Sequence, residues 1–91
     1  MYNKDTAKLQ YRIIRKPEVL ESFGISRTTL HNRINDGLIP NSICLGARAV
    51  GWLESEINKT LSAMIAGQNR EEIQALVTSL EAQRKHALAV R

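Results

Sequence analysis

Residues 17–40 carry two short helical patterns separated by only two residues, and this arrangement constrains the fold more than any other feature of the chain. The stretch reads PEVLESFGISRTTLHNRINDGLIP. Pro17 suits the first turn of a helix, apolar residues recur at helical spacing as far as Phe23, and Gly24 supplies a residue that ends the helix. Soon afterwards, Ser26 can act as the N-cap of the second helix. Two helices joined by so tight a turn predict a helix-turn-helix.

The second helix, predicted over residues 26–36, has few apolar side chains and many polar ones. Only Leu30 and Ile34 are large and apolar, so they form its docking face, and its one acid, Asp36, lies at the far end. A helix that enters the DNA major groove needs outward donors and acceptors, few acids and a small docking face. The residues of this helix that we expect to bind DNA are Ser26, Arg27, Thr28, Thr29, Asn32 and Arg33.

Several of these side chains have alternative roles that the pattern leaves open. Arg27 lies in the first turn, where an arginine can pair with guanine through two hydrogen bonds; the alternative is a surface charge paired with Glu21. Thr28 and Thr29 can contact a phosphate, a base edge or a thymine methyl group, unless one of them only supports the cap. His31 can contact DNA or pack beside the neighbouring helix.

A hairpin pattern follows the second helix. Residues 42–52, SICLGARAVGW, are typical of two short strands around a turn at Gly46 and Ala47. A hairpin in this place makes the helix-turn-helix a winged one. Arg48 lies just past the predicted turn, where it can reach a phosphate or a minor groove, or else remain an exposed charge. Trp52 is expected to open a third helix and to pack in the core.

The positive charge of the chain is concentrated in its first half. Residues 1–48 carry eight Lys or Arg against four Asp or Glu, an excess equal to the whole net charge of +4. A basic surface is typical of a protein that binds a polyanion, although a charge of this size also serves solubility. Arg15 ends the β-prone run YRIIR and Lys16 follows it, so both precede the first helix, where contacts to the DNA backbone are expected.

The end of the chain predicts a long amphipathic fourth helix. Asn69 can cap it, and Glu72 lies in the capping-box position. Its apolar seam consists of Ile73, Leu76, Val77, Leu80, Ala87 and Leu88. Such a seam must be buried, either by folding back on the domain or by pairing with a second copy, as repeated DNA half-sites would require. We favour the homodimer, because a small winged domain has little spare apolar surface for so long a helix.

These patterns predict a mainly α fold with a small β-hairpin. Residues 1–10 are expected to form a flexible arm, residues 11–67 the winged helix-turn-helix, and residues 68–91 the C-terminal helix used for dimerisation or docking. The single cysteine, Cys44, cannot form an intrachain disulfide, and the two histidines have no partners at metal-ligand spacing. No catalytic constellation is present in the sequence, so we expect no enzyme, no metal and no cofactor.

At this point the sequence RIIRKPEVLESFGISRTTLHNRINDGLIPNSICLGARAVGWLESEINKTL resembles the AlpA family of prophage and genomic-island regulators. The matching motifs are PEVL, GISRTTLHNRI, GLIP and LGARAVGWLESEI, within roughly residues 11–66. The resemblance implies a winged helix related to excisionases and to the MerR DNA-binding domain. It also implies that residues 26–29, 32 and 33 lie on the recognition helix and that Arg48 is the wing arginine. His31 stands where the family commonly has an aromatic residue.

Three functions follow as hypotheses. The first is a sequence-specific DNA-binding transcription regulator of a prophage or genomic island. The second is an excisionase-like factor that bends DNA for an integrase, and the third is an adaptor that binds another protein through the C-terminal helix. The expected partners are double-stranded DNA, a second copy of the chain, and an integrase or RNA polymerase. No apolar stretch approaches the ~18 residues of a membrane helix and the polar start is not a signal peptide, so we expect a cytoplasmic, nucleoid-associated protein.

Overall fold

Four α-helices and a small antiparallel sheet make up residues 11–87, the part of the chain that the computed structural model describes. The elements in chain order are β1 (Ile13–Ile14), α1 (Lys16–Phe23), α2 (Arg27–Asn35), β2 (Ile43–Gly46), β3 (Ala49–Leu53), α3 (Glu54–Ile65), α4 (Arg70–Gln83) and a 3₁₀ turn (Arg84–Ala87). The prediction of a mainly α fold with a small β-hairpin is confirmed. The proposed arm, residues 1–10, and the seam residue Leu88 lie outside the described residues.

The turn between α1 and α2 forms as the sequence predicts. Gly24 has a left-handed backbone with φ of 67°, and its N–H donates to the carbonyl oxygen of Leu20 at 2.8 Å, which closes α1. The hydroxyl of Ser26 accepts a hydrogen bond from the backbone N–H of Thr29 at 3.2 Å, so Ser26 is the N-cap of α2. A glycine backbone conformation therefore ends the first helix, and a side-chain cap starts the second.

The three strands pair in the order β1-β3-β2, and this arrangement corrects two predictions. The turn of the hairpin lies at Ala47 and Arg48, one residue later than expected, because Gly46 still pairs with Ala49. Trp52 belongs to β3 and does not open the third helix. Its backbone lies opposite Ile14 of β1. The pairing with β1 extends β3 as far as Leu53, and α3 begins at the next residue.

The main apolar core joins the helix-turn-helix to the sheet and to α3. Its buried members are Ile14, Val19, Leu30, Ile39, Trp52 and Ile57. Leu30 is fully buried, and the partly buried Ile34 packs against the same cluster, which confirms that these two residues dock α2. The indole N–H of Trp52 donates to the carbonyl oxygen of Pro40 at 2.9 Å, so the polar atom of this buried ring is satisfied.

The C-terminal helix folds back on the domain, which was the less favoured of the two alternatives. The predicted capping box of Asn69 and Glu72 is present. Ile73, Val77 and Leu80 are buried within the chain. Leu76 is partly buried against a second apolar cluster that includes Leu38, Ala63 and Met64. Assigning these side chains to a dimer seam is therefore corrected, because their own domain covers them. Homodimerisation itself stays a prediction.

Candidate nucleic-acid interface

The predicted DNA-binding residues of α2 form stripes around its surface. Because an α-helix turns by about 100° per residue, side chains four positions apart share a face. Thr28 and Asn32 are both exposed and lie opposite the buried Leu30. Thr29 and Arg33 form a second stripe on one flank, and both are half-buried. Thr28 and Asn32 are thus the residues that point most directly away from the domain.

Ser26 and Thr29 are occupied with capping. Besides accepting the Thr29 backbone N–H, the Ser26 hydroxyl donates to the Thr29 hydroxyl at 3.1 Å. The alternative in which one threonine supports the cap therefore holds for Thr29, whereas the hydroxyl of Thr28 forms no such bond to the cap. Thr28 is the threonine that remains free to approach a ligand.

His31 and Asn35 lie on the other flank of α2, beside a cleft between this helix and the hairpin. The cleft has a volume of about 320 Å³. Its apolar residues are Leu30, Ile34, Val50 and Trp52, and its polar ones are Lys16, His31, Asn35, Asn41 and Ser42. Arg27 lies one turn before His31 on the same stripe. The exposed His31 therefore faces the cleft, and Asn35 and Ser42, which the sequence pattern does not indicate, lie beside it.

The arginines of the described chain fall into two groups. Arg12, Arg70 and Arg84 each form an ion pair with a carboxylate of the chain. The arginines that form no ion pair within residues 11–87 are Arg15, Arg27, Arg33 and Arg48. These four are the same arginines that the sequence analysis assigned to DNA binding. The alternative pairing of Arg27 with Glu21 does not form.

The unpaired arginines occupy distinct parts of one domain. Arg15 is exposed and immediately precedes α1, while Lys16 begins that helix and lines the cleft. Arg48 is exposed in the turn of the hairpin. Arg27 begins α2, and Arg33 lies on the flank of α2 away from the cleft. Positive charge is thus present on the second helix, at the approach to the first helix and at the tip of the hairpin.

Comparison with known proteins identifies related sequences over the same region. A family model described as prophage CP4-57 regulatory protein (AlpA) matches residues 12–63. An uncharacterized protein, ORF88, of Enterobacteria phage P4 is 39% identical over 61 residues, which cover 67% of this chain and 69% of the relative. The DNA-binding transcriptional activator AlpA of Escherichia coli (strain K12) is 37% identical over 57 residues, which cover 56% of this chain and 81% of the relative. No solved structure matches the chain.

The family match includes the helix-turn-helix and the hairpin but ends before α4. Residues 12–63 contain all of the predicted DNA-binding residues, from Arg15 to Arg48. Helix α4 begins at Arg70 and lies beyond the match. Among the helices within residues 11–87, none is long and apolar enough to span a membrane.

Proposed function

The chain belongs to the AlpA family of prophage regulatory proteins, and from this premise we propose that it is a sequence-specific DNA-binding transcription regulator of a prophage or genomic island. The observation that carries the proposal is the sorting of the arginines. Within residues 11–87, Arg12, Arg70 and Arg84 are neutralised by carboxylates, whereas Arg15, Arg27, Arg33 and Arg48 form no ion pair there. Guanidinium groups without an internal partner, on an exposed helix and at the tip of a hairpin, can donate hydrogen bonds to DNA phosphates and base edges.

The proposed docking places α2 in the major groove and the hairpin beside it. Arg27, Thr28 and Asn32 would meet base edges, because they lie on the most exposed part of the helix. A helix in the major groove and a hairpin on the neighbouring minor groove lie on either side of one phosphate strand. The cleft between them would then face that strand, with Lys16 and His31 as donors to phosphate oxygens.

This docking separates the roles of two arginines. Replacing Arg27 with alanine should cost about 1–3 kcal/mol at one base pair, so the preference for that base pair should weaken by roughly 5- to 150-fold. Replacing Arg48 with alanine should weaken binding to all sequences to a similar degree and reduce the salt slope by about one. Fluorescence anisotropy with a selected site, its single-base-pair variants and a random duplex measures both effects.

Lys59→Ala is the matched control for loss of one positive charge. Lys59 is exposed on α3 and lines a different depression, near the C-terminal end of the described chain. This variant should retain both the sequence preference and most of the affinity. If Arg27→Ala and Lys59→Ala gave the same preference for every base pair, Arg27 would not be a base-reading residue.

The adaptor hypothesis, in which the C-terminal helix binds another protein, is less favoured, because the apolar face of that helix is not free. The buried side chains of α4 pack on their own domain, and Leu38 of the segment between α2 and β2 packs in the same cluster as Ile73 and Val77. The exposed surface of α4 is mainly polar. A protein partner that binds α4 would therefore meet a mainly polar surface within the described residues.

A further inference from the structure

The segment that joins the second helix to the hairpin, residues 36–42, is held by the C-terminal helix at its first end. We call this segment the connector. The side-chain amide of Gln74 donates to the backbone carbonyl oxygen of Asp36 at 2.8 Å. The guanidinium of Arg70 lies 3.6 Å from the carboxylate of the same residue. Both contacts tie the start of α4 to the point where α2 ends.

The other end of the connector is held by the last turn of α4 and by the 3₁₀ turn that follows it. The carboxylate of Glu81 accepts hydrogen bonds from the backbone N–H of Asn41 at 2.7 Å and from its side-chain amide at 3.0 Å. The guanidinium of Arg84 donates to the carbonyl oxygen of Asn41 at 2.7 Å. Both backbone polar groups of this one residue are therefore bonded to side chains more than 35 positions later in the chain.

The holding residue Arg84 is itself anchored to the core. Its Nε and Nη2 atoms donate to the two carboxylate oxygens of Glu56 at 3.0 and 2.7 Å. Glu56 belongs to α3 and is only 4% exposed. Between the two ends, Leu38 packs with Ile73 and Val77. The connector is thus fixed at both ends and in the middle by a helix outside the family match.

We propose that α4 and its 3₁₀ turn act as a clamp on the connector and thereby determine DNA specificity. The connector links α2 to the hairpin, and in the proposed docking both elements must meet DNA at once. Gln74, Glu81 and Arg84 are therefore positioning residues, which act through Asp36 and Asn41 without touching DNA. This inference rests on the proposed function as a sequence-specific DNA-binding protein.

The clamp should affect specific binding more than non-specific binding. Base-edge contacts require defined distances and angles, and a loose connector would have to be ordered when DNA binds. Phosphate attraction to the arginines tolerates small displacements and supplies most non-specific binding. The ratio of specific to non-specific affinity therefore measures the effect of the clamp on base recognition and depends little on the net charge of the surface.

The test compares two double variants of the full chain that have the same net charge. The clamp variant is Gln74→Ala with Glu81→Ala, and the matched control is Gln83→Ala with Glu71→Ala. Gln83 and Glu71 are exposed on the same helix, and Gln83 donates only to Ser79 of that helix among the described contacts. The affinities of each protein for a selected site and for a random duplex are measured by anisotropy at one salt concentration, with circular dichroism as a check on folding.

We expect the ratio of specific to random-duplex affinity to fall about tenfold in the clamp variant and to stay within about twofold of wild type in the control. A variant that carries Glu81→Gln in place of Glu81→Ala should have a ratio of specific to random-duplex affinity close to that of wild type. The glutamine amide oxygen can still accept the hydrogen bond from the Asn41 N–H. Should the clamp variant fail to fold, Gln74→Ala alone, which removes one exposed hydrogen bond, is measured in the same way and is expected to lower the ratio about threefold.

A wild-type chain without sequence preference would overturn the proposed function. A wild-type chain with preference, together with folded clamp variants that keep the same ratio, would overturn only the clamp. Equal losses of specific and random affinity in the folded clamp variant would also overturn it, because that result indicates a general effect on DNA binding.

Discussion

Replacing Arg84 with alanine should lower the free energy of unfolding by about 3–5 kcal/mol, because it leaves the carboxylate of Glu56 buried without a partner. Glu56 is 4% exposed, and its two oxygens receive hydrogen bonds from the Arg84 guanidinium. The same substitution also removes the donor to the carbonyl oxygen of Asn41. Urea denaturation of the full chain, followed by circular dichroism at equilibrium, measures the loss.

Two further variants separate the ion pair from general effects on the helix end. Lys85→Ala removes a charge from the neighbouring exposed residue and should change the stability by about 0.5 kcal/mol or less. Glu56→Leu combined with Arg84→Met replaces both charges with apolar groups and should recover most of the loss, since apolar replacement of a buried ion pair is often nearly neutral. If Arg84→Ala lowered the free energy of unfolding by less than about 1 kcal/mol, the Glu56 carboxylate would not be buried without a partner in this variant.

Replacing Trp52 with alanine should also cost about 3–5 kcal/mol, through the loss of buried apolar surface and the cavity left behind. Trp52 is 2% exposed and lies in the main core with Leu30 and Ile39. Trp52→Phe keeps an aromatic ring but removes the N–H that donates to Pro40, so we expect a smaller cost of about 1–3 kcal/mol. Urea denaturation at equilibrium gives both values.

Tyr11→Ala is the control for loss of an aromatic ring from the same sheet region. Tyr11 is 58% exposed, so its removal should cost far less than the removal of Trp52. If Trp52→Phe cost as much as Trp52→Ala, the burial of the ring would not be the main stabilising contribution of this residue. If neither substitution had a measurable effect, the position of Trp52 in the core would be wrong.

The parts of the fold that depend on local chemistry could be predicted from the sequence. Gly24 ends α1, Ser26 caps α2, and Asn69 with Glu72 forms a capping box, because each involves residues within a few positions of one another. The position of Trp52 in a strand could not be predicted in this way. It depends on pairing with Ile14, which lies far away in the chain.

The surface that covers the apolar seam of the C-terminal helix could not be predicted from the sequence either. An apolar seam indicates that a helix face must be covered but does not identify the surface that covers it. The deciding contacts join Glu56 to Arg84 and Asn41 to Glu81, across 28 and 40 positions. None of these pairs has a local pattern in the sequence, so the sequence alone favours the competing homodimer.

The sequence indicates the residue types of the proposed site but not their arrangement in space. The sequence indicated which arginines belong to the helix-turn-helix and the hairpin, whereas the ion pairs that neutralise Arg12, Arg70 and Arg84 depend on tertiary positions. His31 is one turn after Arg27, a spacing that placed both on one stripe. That this stripe faces the cleft became evident only from the position of the hairpin.

Selection of bound sites from a random pool of DNA duplexes, followed by a salt titration of the selected site, tests sequence-specific DNA binding most directly. With roughly 4–6 phosphate contacts per domain, the logarithm of the binding constant should fall linearly with the logarithm of salt concentration, with a slope of about −4 to −5. We expect the pool to converge on one sequence motif that binds with this slope. A pool without an enriched motif, or an affinity independent of salt, would contradict DNA recognition by this surface.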